Sequence, residues 1–156
     1  MPRVRLTDAP FDPAAELAGF ARGRENVGAV VSFTGLCRAD GGVRELELEA
    51  YPGFTDAAVA AMTDETAARF GLLDALVVHR VGLMRPGEPI VLVATAAAHR
   101  RAAFQAADQL MDWLKSRAPF WKKSHGQGGA RWIEPRAQDY DDAARWDATA
   151  PQLEEA

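Results

Sequence analysis

With one cysteine, Cys37, in 156 residues, the chain cannot form an internal disulfide. Cys, His and Asp/Glu nowhere cluster at the spacings that hold zinc or an iron–sulfur cluster, so the sequence predicts no bound metal and suits a reducing compartment. No apolar run approaches the length of a membrane span. The first residues, Met1-Pro2-Arg3-Val4-Arg5, open an alternating segment in place of the apolar stretch of a signal peptide. The expectation is a soluble, cytoplasmic protein with no membrane contact. Its net charge of -4 and pI near 5.4 lack the domain-wide basic balance of a nucleic-acid binder. Internal repeats are absent too, which excludes solenoids and propellers.

One local absence says more. No carboxylate occurs between Asp112 and Glu134, yet Lys115, Arg117, Lys122, Lys123 and Arg131 stand there around the aromatic turn Ala118-Pro119-Phe120-Trp121. A net +5 in this window leaves -9 for the rest of the chain. The positive field is therefore local, and it would draw an anionic small molecule or an acidic peptide tail.

At 48% hydrophobic and 26% charged, the chain fits one domain over residues 1–146, followed by a flexible acidic tail over 147–156. Residues 4–6 read as a short strand, and Asp12 caps a helix over 13–21 with proline at its first position. The β-branched run 27–37 reads as a buried strand, and 43–51 as a strand exposed on one face. Thr55 is an N-cap candidate for a helix over 56–70 that Gly71 stops. Residues 76–84 read as one long strand and 90–97 as its hairpin partner. A helix over 99–115 ends before Pro119, which lacks the amide donor a helix needs. Residues 120–123 then run extended, 126–129 form a flexible loop, and 130–134 form a short strand. The sum is an α+β, or mixed α/β, fold.

Lys115 and Lys122 would stand about 10 Å apart on a continuous helix. Pro119 forbids that, so the chain turns and the second lysine folds back toward the first, with Phe120 and Trp121 excluding water. Such a lysine has its ammonium disfavoured and can act as acid, base or nucleophile near neutral pH. The alternative is a solvated basic turn at a helix end, where cations suit the dipole. His99-Arg100-Arg101 opens a helix after a strand, a position that favours an anion, and Arg38 follows another strand; both could equally pair with surface acids. His79, inside a strand, reads as a packed histidine, and His125 in its loop is uninformative. Cys37 beside Arg38 reads more readily as a small buried hydrophobe than as a nucleophile. Trp113, Trp121 and Trp132 read as core or interface anchors.

Helical rise adds a constraint. His99 and Lys115 at opposite ends of one helix are separated by roughly 24 Å, so one small ligand cannot touch both. A pocket that uses both ends needs two copies of the chain, which predicts a homodimer with shared sites.

Six segments in register resemble the large, catalytic subunit of molybdopterin synthase. They are Gly28-Ala29-Val30-Val31-Ser32-Phe33-Thr34-Gly35 with Arg38, Leu48-Glu49-Ala50-Tyr51-Pro52-Gly53, His79-Arg80-Val81-Gly82, Pro86-Gly87-Glu88, Ala98-His99-Arg100, and the block from Lys115 through Arg117-Ala118-Pro119-Phe120-Trp121 to Lys122. The resemblance implies an α/β hammerhead-type fold and a central homodimer within a heterotetramer. At each end it implies a small ubiquitin-like sulfur-carrier subunit whose Gly-Gly tail ends in a thiocarboxylate. It implies transfer of two sulfurs to cyclic pyranopterin monophosphate, giving the dithiolene of molybdopterin, with no metal or redox cofactor. Lys115 and Lys122 match the family's catalytic lysines. Arg38, His99 and Arg100 match its substrate-anion site, and Leu36, Cys37, Lys123 and Ser124 flank these positions, contacting substrate through backbone. Ser124 stands where many relatives have glutamate, and Leu36 where a basic residue is frequent. Competing readings are a non-catalytic module that holds an acidic or ubiquitin-like tail, a lysine Schiff-base enzyme, and, weakest, a single-strand nucleic-acid binder.

Overall fold

The computed structural model describes residues 2–126 and 128–147. The expected tail 147–156 therefore lies, Asp147 aside, outside the described residues.

Two four-stranded sheets carry the mixed α/β fold. The first has strand order β1-β4-β6-β2, formed by β1 (Arg3–Thr7), β2 (Ala29–Leu36), β4 (Asp74–Arg80) and β6 (Pro89–Ala97). β1 runs parallel to β4, and the other pairings are antiparallel. All seven residues of β4 are buried, because helices cover both faces of this sheet. On one side Val77, Val91 and Val93 meet Val59 of α2 (Phe54–Phe70) and Ala107, Leu110 and Leu114 of α3 (Arg100–Ser116). On the other, Leu76, Val78, Leu92 and Ala94 pack under Phe20 and Leu17 at α1 (Pro13–Gly19). Burying each such valine or leucine contributes about 1.5–3 kcal/mol. Among the described residues, no helix is long and apolar enough to cross a membrane.

The second sheet, in order β5-β3-β7-β8, is antiparallel throughout. It contains β3 (Val43–Ala50), β5 (Gly82–Met84), β7 (Phe120–Gly126) and β8 (Gly129–Ile133). A last helix, α4 (Ala137–Ala144), lies against α3, where Arg145 and the Trp146 indole both donate to the Asp112 carboxylate.

Several expectations change. The strand expected over 76–84 is two strands in two sheets. Val81 donates to the Thr7 carbonyl and ends β4, and Gly82, at φ 85°, swings the chain into the second sheet. The strand expected to be buried over 27–37 is an edge strand, and Val30 and Leu36 are about half exposed (49% and 53%). Thr55 is no N-cap. α2 begins two residues earlier than expected, at Phe54, with Gly53 at the cap position. The buried Thr55 hydroxyl instead accepts from the Tyr51 amide at 2.9 Å and donates to the Pro119 carbonyl at 3.0 Å. The loop expected over 126–129 is a close hairpin connection, since Gly126 pairs with Gly129. α4 was not expected from its acid-rich sequence.

Candidate functional site

The turn between α3 and β7 brings the two lysines together. Lys115 lies in the last turn of α3. The helix closes when the Arg117 and Ala118 amides both donate to the Trp113 carbonyl, at 2.7 and 3.1 Å. Pro119 then starts the return, its carbonyl held by Thr55. Along β7 the side chains alternate, so Phe120, Lys122 and Ser124 point one way and Trp121, Lys123 and His125 the other.

Lys115 and Lys122 line one cavity of about 330 Å³. Its floor is apolar, with Leu46 and Leu48 of β3, Val91 of β6 and Phe120 of β7. Arg38 and Leu36 reach it from the end of β2, His79 from β4, and Glu134, Arg136 and Asp139 from the C-terminal segment. Among the described residues, no ion pair engages Lys115 or Lys122. Burial pushes the Lys122 ammonium below its ordinary value, and the positive charge of Lys115 pushes in the same direction. Cys37 and Asp139 oppose this in part. The outcome is a cationic, partly dry pocket with one lysine that gives up its proton more readily than a free lysine does.

His79 is buried and stacked on Phe120, with ring centroids 4.1 Å apart. Burial holds its pKa down to about 4, and the nearby Lys115 and Lys122 charges add to this against the hydrogen bond to the Arg80 carbonyl. The sequence reading of a packed histidine is right but incomplete, because the residue also lines the cavity.

The remaining candidates separate. Arg38 is well exposed and pairs with Asp40 at 3.1 Å, a contact of little energetic weight that leaves it available to an anion. Cys37 is buried, its amide donating to the Glu88 carbonyl at 2.9 Å, and burial raises its thiol pKa against the pull of Lys122. Ser124 shares the Lys122 face of β7 but stands beyond the cavity lining. Lys123 points to the opposite face, where its ammonium lies 5.0 Å from the Trp132 ring centroid. His99 and Arg100 sit at the far end of α3 and do not line this cavity. Glu134, Arg136 and Asp139 went unnoticed in the sequence. Their only signal was the acid-rich stretch after β8, which gives no indication that α4 folds back against α3. Among the described residues, no group of three or more His, Cys, Asp or Glu side chains could hold a metal ion.

Comparison with known proteins identifies what the chain is similar to. A family model described as MoaE protein matches residues 6–117. The molybdopterin synthase catalytic subunit of Caulobacter vibrioides is 61% identical over 148 residues, covering 94% of this chain and 99% of that one. The solved molybdopterin biosynthesis MoaE protein from Burkholderia ambifaria superposes with a TM-score of 0.82 at 39% identity, over 96% of this chain and 100% of that one. Molybdopterin synthase from Staphylococcus aureus superposes with a TM-score of 0.73 at 30% identity, over 82% of this chain and 94% of that one.

Proposed function

The chain belongs to the MoaE protein family, and from that premise we propose that it is the catalytic, sulfur-transferring subunit of a molybdopterin synthase. Its substrate is cyclic pyranopterin monophosphate. Its sulfur donor is a small ubiquitin-like carrier subunit ending in a Gly-Gly thiocarboxylate. The observation that carries this reading is the meeting of Lys115 and Lys122 in a cavity that opens beside Arg38, with no carboxylate among the described residues paired to either lysine.

The pocket suits the chemistry. A thiocarboxylate and a phosphate are both anions, and a dry, cationic site strengthens attraction to each. The two glycines of the carrier tail let an extended backbone enter where larger side chains would not fit. As the thiocarboxylate sulfur bonds to a side-chain carbon of the pterin, a carbon–oxygen bond at that carbon must break, and the departing oxygen must be protonated or have its negative charge stabilised. Lys122, with its ammonium destabilised by burial, is placed to exchange a proton, and Lys115 to stabilise developing negative charge. Hydrolysis of the resulting acyl–sulfur bond leaves the first sulfur on the pterin, and a second carrier delivers the next.

Arg38 contributes to holding the phosphate. His99 and Arg100 complete that anion site from a second copy of the chain, in a homodimer that binds one carrier at each end as a heterotetramer. The half-exposed apolar residues Val30, Phe33 and Leu36 of the edge strand and Phe104 on α3 support a self-association surface.

The test is reconstitution. Wild-type protein, thiocarboxylated carrier and cyclic pyranopterin monophosphate should yield molybdopterin, and Lys115→Ala or Lys122→Ala should lower turnover by about 10²–10⁴-fold. Carrier binding without turnover by wild type would instead establish a non-catalytic binding module.

A further inference from the structure

The segment that carries Arg38 is held by a turn and not by the sheet. β2 pairs with β6 as far as Gly35, opposite Val91, and the register then shifts, so that Leu36 stands opposite Pro89. Beyond this point the turn 85–88 takes over. The Cys37 amide donates to the Glu88 carbonyl at 2.9 Å, and the Gly87 amide donates to the Cys37 carbonyl at 2.8 Å. Cys37 is thereby fixed through both of its backbone groups, and its two neighbours, Leu36 and Arg38, line the cavity. The Arg38 side chain is well exposed, and its ion pair with Asp40 is a weak surface contact. Where Arg38 stands is therefore set by the backbone beneath it.

The turn is held in its place by Arg80, the last residue of β4 and only 4% exposed. Its Nη2 reaches across to the second sheet and donates to the Leu83 carbonyl of β5 at 2.9 Å. Its Nη1 lies 3.9 Å from Glu88 Oε2, and the same carboxylate oxygen accepts from the Arg85 amide at 2.9 Å. A buried guanidinium is costly unless a counter-charge stands near it. Among the described residues, Glu88 is the carboxylate paired with Arg80, and Nε and Nη1 make no hydrogen bond there. Burial raises the Cys37 thiol pKa, and the Glu88 charge adds to this against Lys122, so the carboxylate acts close to the cavity segment. Arg80 itself does not line the cavity. Any influence it has on a bound ligand travels through Glu88 and the turn.

We propose that Arg80 is a positioning residue for the segment Leu36–Arg38: through Glu88 it fixes the turn 85–88, and the turn fixes the backbone from which Arg38 reaches the substrate phosphate. The proposal rests on the reading of Arg38 as a phosphate contact and extends it to a residue outside the cavity. The phosphate takes no part in sulfur transfer, so its contacts act alike before and during reaction. Misplacing Arg38 then raises KM and leaves kcat nearly unchanged, whereas a merely destabilised fold lowers the active fraction and hence kcat, with KM unchanged.

The experiment measures KM for cyclic pyranopterin monophosphate and kcat in the complex reconstituted with thiocarboxylated carrier. Arg80→Met keeps the apolar stem and removes the charge; it should raise KM about tenfold with kcat within about twofold of wild type. Arg80→Lys returns a charge near Glu88 and should recover part of the loss. Glu88→Gln keeps an acceptor for the Arg85 amide and removes the counter-charge, and should raise KM by about threefold. In an Arg38→Ala background neither change should raise KM further, because the residue through which both act is gone. A second readout needs neither carrier nor pterin: titration with inorganic phosphate, followed by NMR of its phosphorus, should show weaker binding in Arg80→Met and no further weakening in Arg80→Met with Arg38→Ala. Unchanged phosphate binding in Arg80→Met, or equal losses with and without Arg38, overturns the proposal. If Arg80→Met does not fold, Glu88→Gln with and without Arg38→Ala decides it by the same criteria. A failure to make molybdopterin with the phosphate results intact counts against the sulfur-transfer reading alone.

Discussion

Lys122 and Lys123 are neighbours in sequence and opposites in space. Strand alternation sends Lys122 into the cavity and Lys123 across the sheet onto Trp132. Lys122→Ala should therefore abolish most turnover, while Lys123→Ala should change it by no more than a few-fold in the same reconstitution. The sequence reading took 120–123 as extended but grouped Lys123 with the substrate contacts, and it did not show His79 beside the lysines, because its neighbours come from α3 and β7. His79 also predicts a pH dependence of stability. Its folded pKa of about 4 lies below the ordinary value of 6.5, so the unfolded chain takes up a proton first as the pH falls. The stability is fully present above about 6.5, is lost as the pH falls toward 4, and the loss amounts to about 3 kcal/mol. Urea midpoints of wild type between pH 7 and 4 should fall accordingly, and those of His79→Gln should fall less steeply.

At the scale of elements, the reacting turn is fixed from outside. The Thr55 hydroxyl at the start of α2 joins the Tyr51 amide to the Pro119 carbonyl, 64 residues away. Thr55→Val preserves shape and removes both hydrogen bonds, whose backbone partners are part-buried, which should cost about 1–2 kcal/mol. The loss should appear as a lower denaturation midpoint. The Lys115–Lys122 turn should also loosen, so turnover should fall at temperatures where the variant is still folded. Sequence placed this threonine at a helix start but gave it a local capping role, since nothing in one chain segment reveals a partner so distant. The same limit explains the other misplaced elements. β4 and β5 read as one strand because the run is largely apolar, and neither the Val81 bond to the Thr7 carbonyl nor the positive φ of Gly82 that separate them shows in it. α4 carries few apolar residues, and its packing depends on Asp112, Arg145 and Trp146 finding one another. Helices with strong apolar periodicity or clear stops were legible within a residue or two, as α3 and the Gly71 end of α2 show.

At the scale of the whole molecule, α3 works as a spacer. It spans 17 residues, about 24 Å from the His99 cap to Lys115 at 1.5 Å per residue, and its two ends cannot serve one small substrate within a single copy. On the proposed reading, in which His99 and Arg100 join Arg38 around one phosphate, two-fold pairing would bring them together twice over, since an isologous interface repeats every cross-subunit contact. Arg100→Ala and Lys115→Ala should each be inactive alone. When the two are mixed and allowed to exchange, half of the dimers are mixed. In each mixed dimer one site carries both lesions and the other carries neither. Recovery should approach about a quarter of wild-type turnover, set by those statistics alone. Recovery near zero, with subunit exchange verified by mass spectrometry, would count against a site shared between two copies, whereas an Arg100→Ala variant that is active alone would place Arg100 outside the site.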